Sequence, residues 1–339
     1  MSLASKKVTN VEINSGDNKK KKLLLVIIFL VILLALGFLL KFLFAEPEPE
    51  WDDDLSQDWI TEIMYEGKTY CYNTNLTNIL FLGIDNESGI RDDNMPSEAG
   101  QSDCIILLTL DSESKKGRIL QIPRDTMTEV DIYNVGGNRF KTKTAQIATQ
   151  YAYCIGGDSS CVATKQTVSE LLYELPIESY LTMDYSTIAS VNDALGGVTI
   201  TVPEDYTMID PAFKKGATLR LTGDQAHRYV RYRDTDVAFS NNQRMERQVQ
   251  YITALVETIQ GNAKKSENYY STLYPLVEKY MLTNLTESQI EKLMEYELDT
   301  EQITFLPGEA KQGEIYEEFY VNEEKLKKML IETFYILKK

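Results

Sequence analysis

The sequence predicts an α/β layered domain held outside a membrane by one N-terminal apolar helix. Three observations carry this: an unbroken apolar run near the N-terminus, short apolar segments bounded by turn residues from residue 78 onward, and stretches of helical periodicity between them.

Residues Leu23 to Leu40 are apolar apart from Gly37; Lys41 follows, then Phe42 to Ala45. A bilayer core takes about 20 apolar residues in a helix. A backbone in hydrocarbon must satisfy its own hydrogen bonds, so this run reads as a transmembrane helix. The stem of Lys41 lets its ammonium reach the interface. Lys19 to Lys22 precede the run and Glu46, Glu48, Glu50 and Asp52 to Asp54 follow it. The lysine excess places the N-terminus in the cytoplasm. The expected layout is a cytoplasmic tail over 1–22, an anchor over 23–45, a stalk with a first strand over 46–76, and a large outer domain over 77–339. This layout predicts a single-pass type II cell-membrane protein with its C-terminal domain extracellular. A cleaved signal peptide is the rival reading, but its apolar region is about 7–15 residues long, shorter than this run.

The chain carries −16. Residues 1–45 hold seven lysines against Glu12 and Asp17, so the rest carries −21. A nucleic-acid footprint should be basic, which excludes nucleic acid as a partner. The acidity suits solubility near a charged surface. Cys71, Cys104, Cys154 and Cys161 all follow the anchor. Cys154 and Cys161 bracket a short loop that a disulfide can close, leaving 71–104 as the second bond; buried thiols are the alternative. With His227 the only histidine, no zinc site is legible.

Along the outer part, strands are expected over 68–73, 78–84, 104–110 and 117–122, with a polar loop over 86–100. Helical periodicity suggests helices over 144–153, 162–173 and 186–194, with strands at 180–183 and 197–202 between and after them. Thr222 reads as the N-cap of a helix over 224–229. Asn241 or Asn242 can cap the next, over 244–259. Residues 264–298 look helical, interrupted by a cap at 284–286. Strands at 302–306 and 315–321 and a helix over 323–336 complete the domain.

Three clusters can carry chemistry. Asp85 directly follows the apolar run 79–84, and Asp103 directly precedes 104–110. If those strands are antiparallel neighbours, both carboxylates meet at one sheet edge, where hard oxygens suit Mg²⁺. Aspartate at strand ends is equally ordinary turn chemistry. Ile122-Pro-Arg-Asp125 ends a strand with a turn that throws Arg124 outward. Arg228, Arg231 and Arg233 form the third cluster with Arg244, Arg247 and Gln248. In an extended segment Arg231 and Arg233 share a face; in a helix Arg244 and Gln248 do. Guanidiniums so dense call either for local carboxylates or for a bidentate anionic ligand such as phosphate.

In order, these segments are Asn78-Ile-Leu-Phe-Leu-Gly-Ile-Asp85, Ser102-Asp103, Ile122-Pro-Arg-Asp125, Asp193-Ala-Leu-Gly-Gly-Val-Thr-Ile200, Gly223-Asp-Gln-Ala-His-Arg-Tyr-Val-Arg-Tyr-Arg233 and Gln243-Arg-Met-Glu-Arg-Gln248. Behind a membrane anchor, this order resembles the LytR-CpsA-Psr family over residues 77–260. The resemblance implies an α/β/α sandwich around a central mixed sheet, with an apolar groove for a polyprenyl tail. It implies transfer of a glycopolymer phosphate from an undecaprenyl-pyrophosphate carrier to peptidoglycan. Mapped by motif, Arg124, Arg231, Arg233 and Arg244 are catalytic around the pyrophosphate. Asp125, Asn241, Arg247 and Gln248 bind substrate, and Asp85 and Asp103 hold Mg²⁺, or Mn²⁺. A non-catalytic binder of polyprenyl-pyrophosphate intermediates and a pyrophosphate hydrolase are the alternatives. The chain departs from the pattern twice. Gln101 stands where an arginine is common, which Arg91 can offset. Asn241 stands where an aspartate is common, and an amide cannot act as a general base; Asp234, Asp236 or the metal alone then activates the acceptor.

Overall fold

The computed structural model describes residues 62–86, 98–234, 240–266 and 268–338, without the side chains of 300–302. The expected anchor 23–45, its flanks, Arg91 and Asp236 lie outside these residues. Among those described, no helix is long and apolar enough to cross a membrane.

In chain order the elements begin with β1 (Glu62–Tyr65), β2 (Lys68–Tyr72), β3 (Leu76–Ile84), β4 (Ser102–Asp111), β5 (Lys116–Ile122), β6 (Met127–Tyr133) and β7 (Arg139–Gln146). The middle of the chain forms α1 (Thr149–Ala152), α2 (Gly157–Leu171), β8 (Ser179–Asp184), α3 (Tyr185–Ala194), β9 (Thr199–Thr201), β10 (Thr218–Arg220) and α4 (Gly223–Arg231). The last third forms α5 (Asn241–Ala263), α6 (Tyr269–Val277), β11 (Leu282–Thr283), α7 (Glu287–Leu293), β12 (Glu297–Phe305), β13 (Gly308–Gln312), β14 (Glu317–Val321), α8 (Glu323–Phe334) and β15 (Tyr335–Leu337).

A six-stranded sheet, ordered β11-β8-β3-β4-β5-β12, forms the centre. It is mixed: β3 pairs antiparallel with β4 and parallel with β8, and β5 pairs parallel with β12. Side chains alternate across a strand, so β3 and β4 each split their apolar residues between two faces. Leu80, Leu82 and Ile84 with Ile105 and Leu107 pack on one side with Val168 and Leu172, at the end of α2, and with Leu330 and Phe334 of α8. Each such fully buried side chain contributes about 1.5–3 kcal/mol. Ile79, Phe81, Ile106 and Leu108 face the other way, toward α3, α5, α6 and α7. The expected α/β/α sandwich around a mixed sheet is therefore present.

Several elements differ from expectation. One strand, β1, precedes the expected first strand, and the β1–β2 hairpin extends to β15 at the other end of the chain. Residues 144–153 are not one helix. Gln146 ends β7, whose Phe-Lys-Thr-Lys-Thr run alternates and favours a strand, and only Thr149–Ala152 coils. The 264–298 segment divides into α6, a 3₁₀ turn, β11 and α7, and Thr286 caps α7 with a capping box. Ser240 occupies the cap position of α5, so Asn241 is its first helical residue rather than its cap. None of the four cysteines is disulfide-bonded. Cys154 and Cys161 are separated by the first turn of α2, and Cys161 turns inward, with Sγ 3.2 Å from Thr182 Oγ1. Cys71 lies on β2 and Cys104 on β4, in different sheets. The expected 154–161 and 71–104 bonds are thus replaced by thiols, the alternative reading.

Candidate active site at the edge of the central sheet

The antiparallel pairing of β3 with β4 brings Ile84 opposite Ser102, so Asp85 and Asp103 arrive at the same edge. Both backbone amides donate to the Gln101 carbonyl, Asp85 at 2.8 Å and Asp103 at 3.0 Å. Gly100, at φ +84°, makes the approach possible: a Cβ there would sit 2.8 Å from the Asp85 carbonyl.

Asp103 is 4% exposed and is the hub of the site. Its Oδ2 accepts from Arg244 Nη1 at 2.8 Å, and its Oδ1 accepts from Arg124 Nη1. Arg124 is steadied from the other side by Gln101 Oε1, which accepts from Nη2 at 2.6 Å. Gln101, which departs from the common arginine, thus orients an arginine instead of supplying one. Arg244 is buried on the first turns of α5. Burial opposes its charge, but Asp103, Tyr185 and Asp125 together outweigh this and hold the guanidinium above its ordinary value.

Asp125 is also buried. Its Oδ1 accepts from Gln146 Nε2 at 3.0 Å and its Oδ2 from Asn241 Nδ2 at 2.9 Å. Burial pushes its carboxyl up, against the pull of Arg124, Arg233 and Arg244. Arg244 Nη2 donates to Asn241 Oδ1 at 2.8 Å, and because arginine can only donate, this fixes the amide orientation. A carboxylate at 241 would set two acceptors against each other at Asp125; the amide removes that conflict.

Arg231 ends α4 and is 39% exposed, the most open of these arginines. It lies 3.7 Å from Asp85 Oδ1 and 5.9 Å from the Tyr185 ring centroid. The chain leaves the helix at Tyr232, so Arg231 and Arg233 do not share an extended segment. Arg233 Nη2 donates instead to Glu317 Oε2 of β14 at 2.7 Å. The α4 helix itself is set by Thr222 and Gln225, whose reciprocal hydrogen bonds form a capping box, as expected for Thr222. Asp193 Oδ1 accepts from the Gly223 amide at 2.8 Å, and a Cβ on Gly223 would lie 2.5 Å from the Ala189 carbonyl. This contact gives Asp193 and Gly223 their place in the motif pattern: they lock α3 to α4.

Arg247 stands apart. It is buried, donates to the carbonyls of Tyr229 and Tyr232, and lies 5.0 Å from the Tyr206 ring centroid. It staples the end of α4 to α5 and does not reach the carboxylates. The structure places this residue, expected at the substrate, on the last carbonyls of a helix. Gln248, one turn beyond Arg244, donates to Tyr185 Oη at 3.1 Å.

Behind Tyr185 and Gln248 opens a cavity of about 230 Å³ between the second face of the sheet and α3, α5, α6 and α7. Its walls are apolar, including Phe81, Ile106, Leu255 and Leu273. A cavity of this chemistry takes a hydrocarbon and excludes charge. Tyr185 and Gln248 thus stand between an apolar chamber and the guanidiniums.

The donor set fits a hard divalent cation that keeps most of its waters. Burial and the charge of Asp103 push the Asp85 carboxyl up, against Arg231, Arg124 and Arg244, so the two carboxylates feel each other. A cation relieves that repulsion, and Asp85, with its side chain 44% exposed, has an open side. Among the described residues no group of three or more His, Cys, Asp or Glu gathers at one point.

Gln146, Tyr185 and Glu317 were not singled out by the sequence. Tyr185 had a signal, since it directly follows a strand that ends in Asp184. The others had none.

A sequence profile of the LytR_cpsA_psr family matches residues 53–334. The polyisoprenyl-teichoic acid–peptidoglycan teichoic acid transferase TagU of Bacillus cereus is 32% identical over 212 residues, 62% of this chain; the chain spans 61% of that relative's length. The crystal structure of Bacillus subtilis TagV superposes with a TM-score of 0.54 at 26% identity, covering 77% of this chain and 97% of that one. Protein gbs0355 from Streptococcus agalactiae superposes at 0.60 and 21% identity, covering 78% and 91%, which speaks to the fold alone. With Asp85, Asp103, Arg124, Arg231 and Arg244 gathered at one sheet edge and the match running through nearly all of the described domain, this chain belongs to the LytR-CpsA-Psr family.

Proposed function

We propose that the protein transfers a glycopolymer phosphate from an undecaprenyl-pyrophosphate carrier to a peptidoglycan hydroxyl, forming a phosphodiester. One observation carries this: guanidiniums gathered around Asp103 open, past Tyr185 and Gln248, onto an apolar cavity. A lipid-linked pyrophosphate has this polarity, with charge at one end and hydrocarbon at the other. The name of the TagU relative supports the teichoic-acid and peptidoglycan partners.

Phosphoryl transfer needs positioning and neutralised oxygens more than covalent help from the protein. Arg231 and Arg244 bind the diphosphate oxygens, and Arg124, held by Asp103 and Gln101, backs them. Asp85 and Asp103 would hold Mg²⁺, or Mn²⁺, and the bound cation would supply neutralisation of diphosphate charge and so a better polyprenyl-phosphate leaving group. The walls of the cavity seat the polyprenyl tail and keep water from the carrier. The anchor over 23–45 keeps the site near the outer face of the cell membrane, where the carrier is embedded.

The test incubates the purified full chain with a polyprenyl-pyrophosphate glycan, peptidoglycan oligomers and Mg²⁺. A covalent glycan–peptidoglycan adduct that is lost in Arg231→Ala is expected. Phosphorylated glycan released without acceptor would make the protein a hydrolase, and tight carrier binding with no product would make it a binder.

A further inference from the structure

Tyr185 leaves the central sheet at the edge that carries Asp85. β8 runs parallel to β3 with Asp184 opposite Ile84, so the next residue of each strand reaches the same edge. Asp184 then caps α3, its Oδ1 accepting from the Thr187 amide at 3.1 Å, which fixes the backbone that bears Tyr185. Tyr185 is 3% exposed, and the Arg231 guanidinium lies 5.9 Å from its ring centroid. Tyr185 and Gln248 both line the apolar cavity.

The hydrogen bonds around this phenol leave one donor over. Gln248 Nε2 donates to Tyr185 Oη at 3.1 Å and to the Val230 carbonyl at 3.4 Å. A carbonyl only accepts, so Val230 sets the orientation of the amide and makes the phenol oxygen the acceptor. The proton of the phenol must therefore point elsewhere. Among the described residues it meets no acceptor, and Gln248 Oε1 has no hydrogen-bond partner either. Arg244, one turn before Gln248, repeats the pattern. Its Nη1 and Nη2 serve Asp103 and Asn241, while its buried Nε has no acceptor. Tyr185 and Arg244 are near enough to feel each other's charge. Buried donors are normally paired. Two left open together, where the apolar chamber meets the guanidiniums, call for an acceptor that arrives with the substrate.

A lipid-linked pyrophosphate brings one. With its tail in the chamber, the phosphate joined to the tail is the group that passes between Tyr185 and Gln248. We propose that the Tyr185 hydroxyl donates a hydrogen bond to an oxygen of this tail-side phosphate, making Tyr185 a catalytic residue for its departure. This rests on the transferase reading above. The acceptor hydroxyl oxygen bonds to the glycan-bearing phosphorus, and its proton passes to water. The bond from that phosphorus to the bridging oxygen breaks, and the electron pair stays with the polyprenyl phosphate. The Tyr185 proton remains on the phenol throughout. Negative charge grows on the departing phosphate, so the hydrogen bond strengthens in the transition state. Gln248 acts through Tyr185, as the residue that turns the phenol proton toward the substrate. Tyr185 lies outside the six motif segments.

The experiment measures donor affinity without acceptor, and then transfer with it, on the full chain in detergent. The probes are a short-chain polyprenyl-pyrophosphate disaccharide and a peptidoglycan oligomer. Tyr185→Phe removes the hydroxyl and keeps the ring. It should lower kcat by about 10²-fold while donor Kd stays within about threefold. An ortho-fluorinated tyrosine placed at position 185, a more acidic phenol and so a stronger donor, should keep kcat at or above about a third of the wild-type value. Transfer by Tyr185→Phe at the wild-type rate overturns the proposal. So does donor affinity that falls as far as kcat, because the hydroxyl then holds ground state and transition state alike. A fluorinated phenol as slow as Tyr185→Phe also overturns it, since packing and not the proton then sets the rate. Wild-type protein that binds donor and forms no adduct removes the transferase reading, and this assignment with it, before any variant is compared.

Discussion

Arg244 Nη1 donates to Asp103 Oδ2 at 2.8 Å, joining the first turns of α5 to the start of β4 across 141 residues of sequence. Both side chains are almost fully enclosed, at 5% and 4% exposure. A buried charge pair is costly to break from one side, because the remaining charge has no water to return to.

Asp103→Ala should therefore destabilise the fold by about 3–5 kcal/mol, leaving Arg244 and Arg124 without their shared carboxylate. Asp85 is half open, and Asp85→Ala should change stability by less than about 0.5 kcal/mol. Its transfer activity should nevertheless fall and respond less to added Mg²⁺. Urea denaturation of both variants, with Mg²⁺ titrations of activity, separates the hub from the open ligand; equal stability losses would contradict this division.

Arg231 and Arg247 should exchange phenotypes. Arg231→Ala removes one exposed charge-assisted contact, about 1.5–3 kcal/mol, and should weaken carrier binding about 10–100-fold with little change in folding. Arg247→Ala leaves the Tyr229 and Tyr232 carbonyls without their donor and strips packing from Tyr206, costing about 2–4 kcal/mol of stability. Carrier affinity measured on folded protein should stay near wild type in Arg247→Ala; a direct binding role for Arg247 requires the reverse pattern.

Filling the cavity should discriminate by tail length. Leu255→Trp places a large ring in the chamber and should weaken a long-chain polyprenyl pyrophosphate by at least about tenfold, one step of 1.4 kcal/mol. Inorganic pyrophosphate, which needs only the guanidiniums, should bind as in the wild type. Paired calorimetric titrations decide it, and equal weakening of both ligands would place the tail elsewhere.

Glu178, far from the arginines, should make stability depend on pH. Its Oε2 accepts from the Asn78 amide at 2.7 Å, and burial, only partly offset by that bond and Lys165, pushes its carboxyl up to about 7. The folded state then holds the proton more tightly than the unfolded chain. Its stabilisation is complete below about pH 4.5 and is lost as pH rises through about 7, amounting to about 3 kcal/mol. Denaturation at pH 5 and pH 8 should show this loss in the wild type and not in Glu178→Gln. A wild-type protein whose difference from Glu178→Gln is the same at both pH values would rule it out.

Much of the site was legible before the fold, because its strongest signals are local. Asp85 and Asp103 stand at the ends of apolar runs, and the inference that antiparallel neighbours bring them together holds in the β3–β4 ladder. Arg124 after Ile122-Pro123 and the Thr222 cap of α4 were equally readable, since turn and cap chemistry act over three or four residues. The place of Arg247 was not legible, because its spacing from Arg244 suits a ligand-binding face as well as a helix staple, and only the fold brings it to the Tyr229 and Tyr232 carbonyls. β14 falls within the expected strand 315–321, whereas β6, β7 and β13 went unrecognised; β7 and β13 are mostly exposed and polar and so show no apolar run.

What the sequence determined by itself is what short-range physics encodes: an apolar run of membrane-spanning length, alternating strand and helix periods, and the motif order of the family. What only the tertiary structure decided is which groups share a charge. Asn241 faces Asp125 across 116 residues and Glu317 faces Arg233 across 84. Such pairings depend on how the chain closes in space, because a guanidinium finds its carboxylate by distance and desolvation, neither of which the spacing of residues along a chain records.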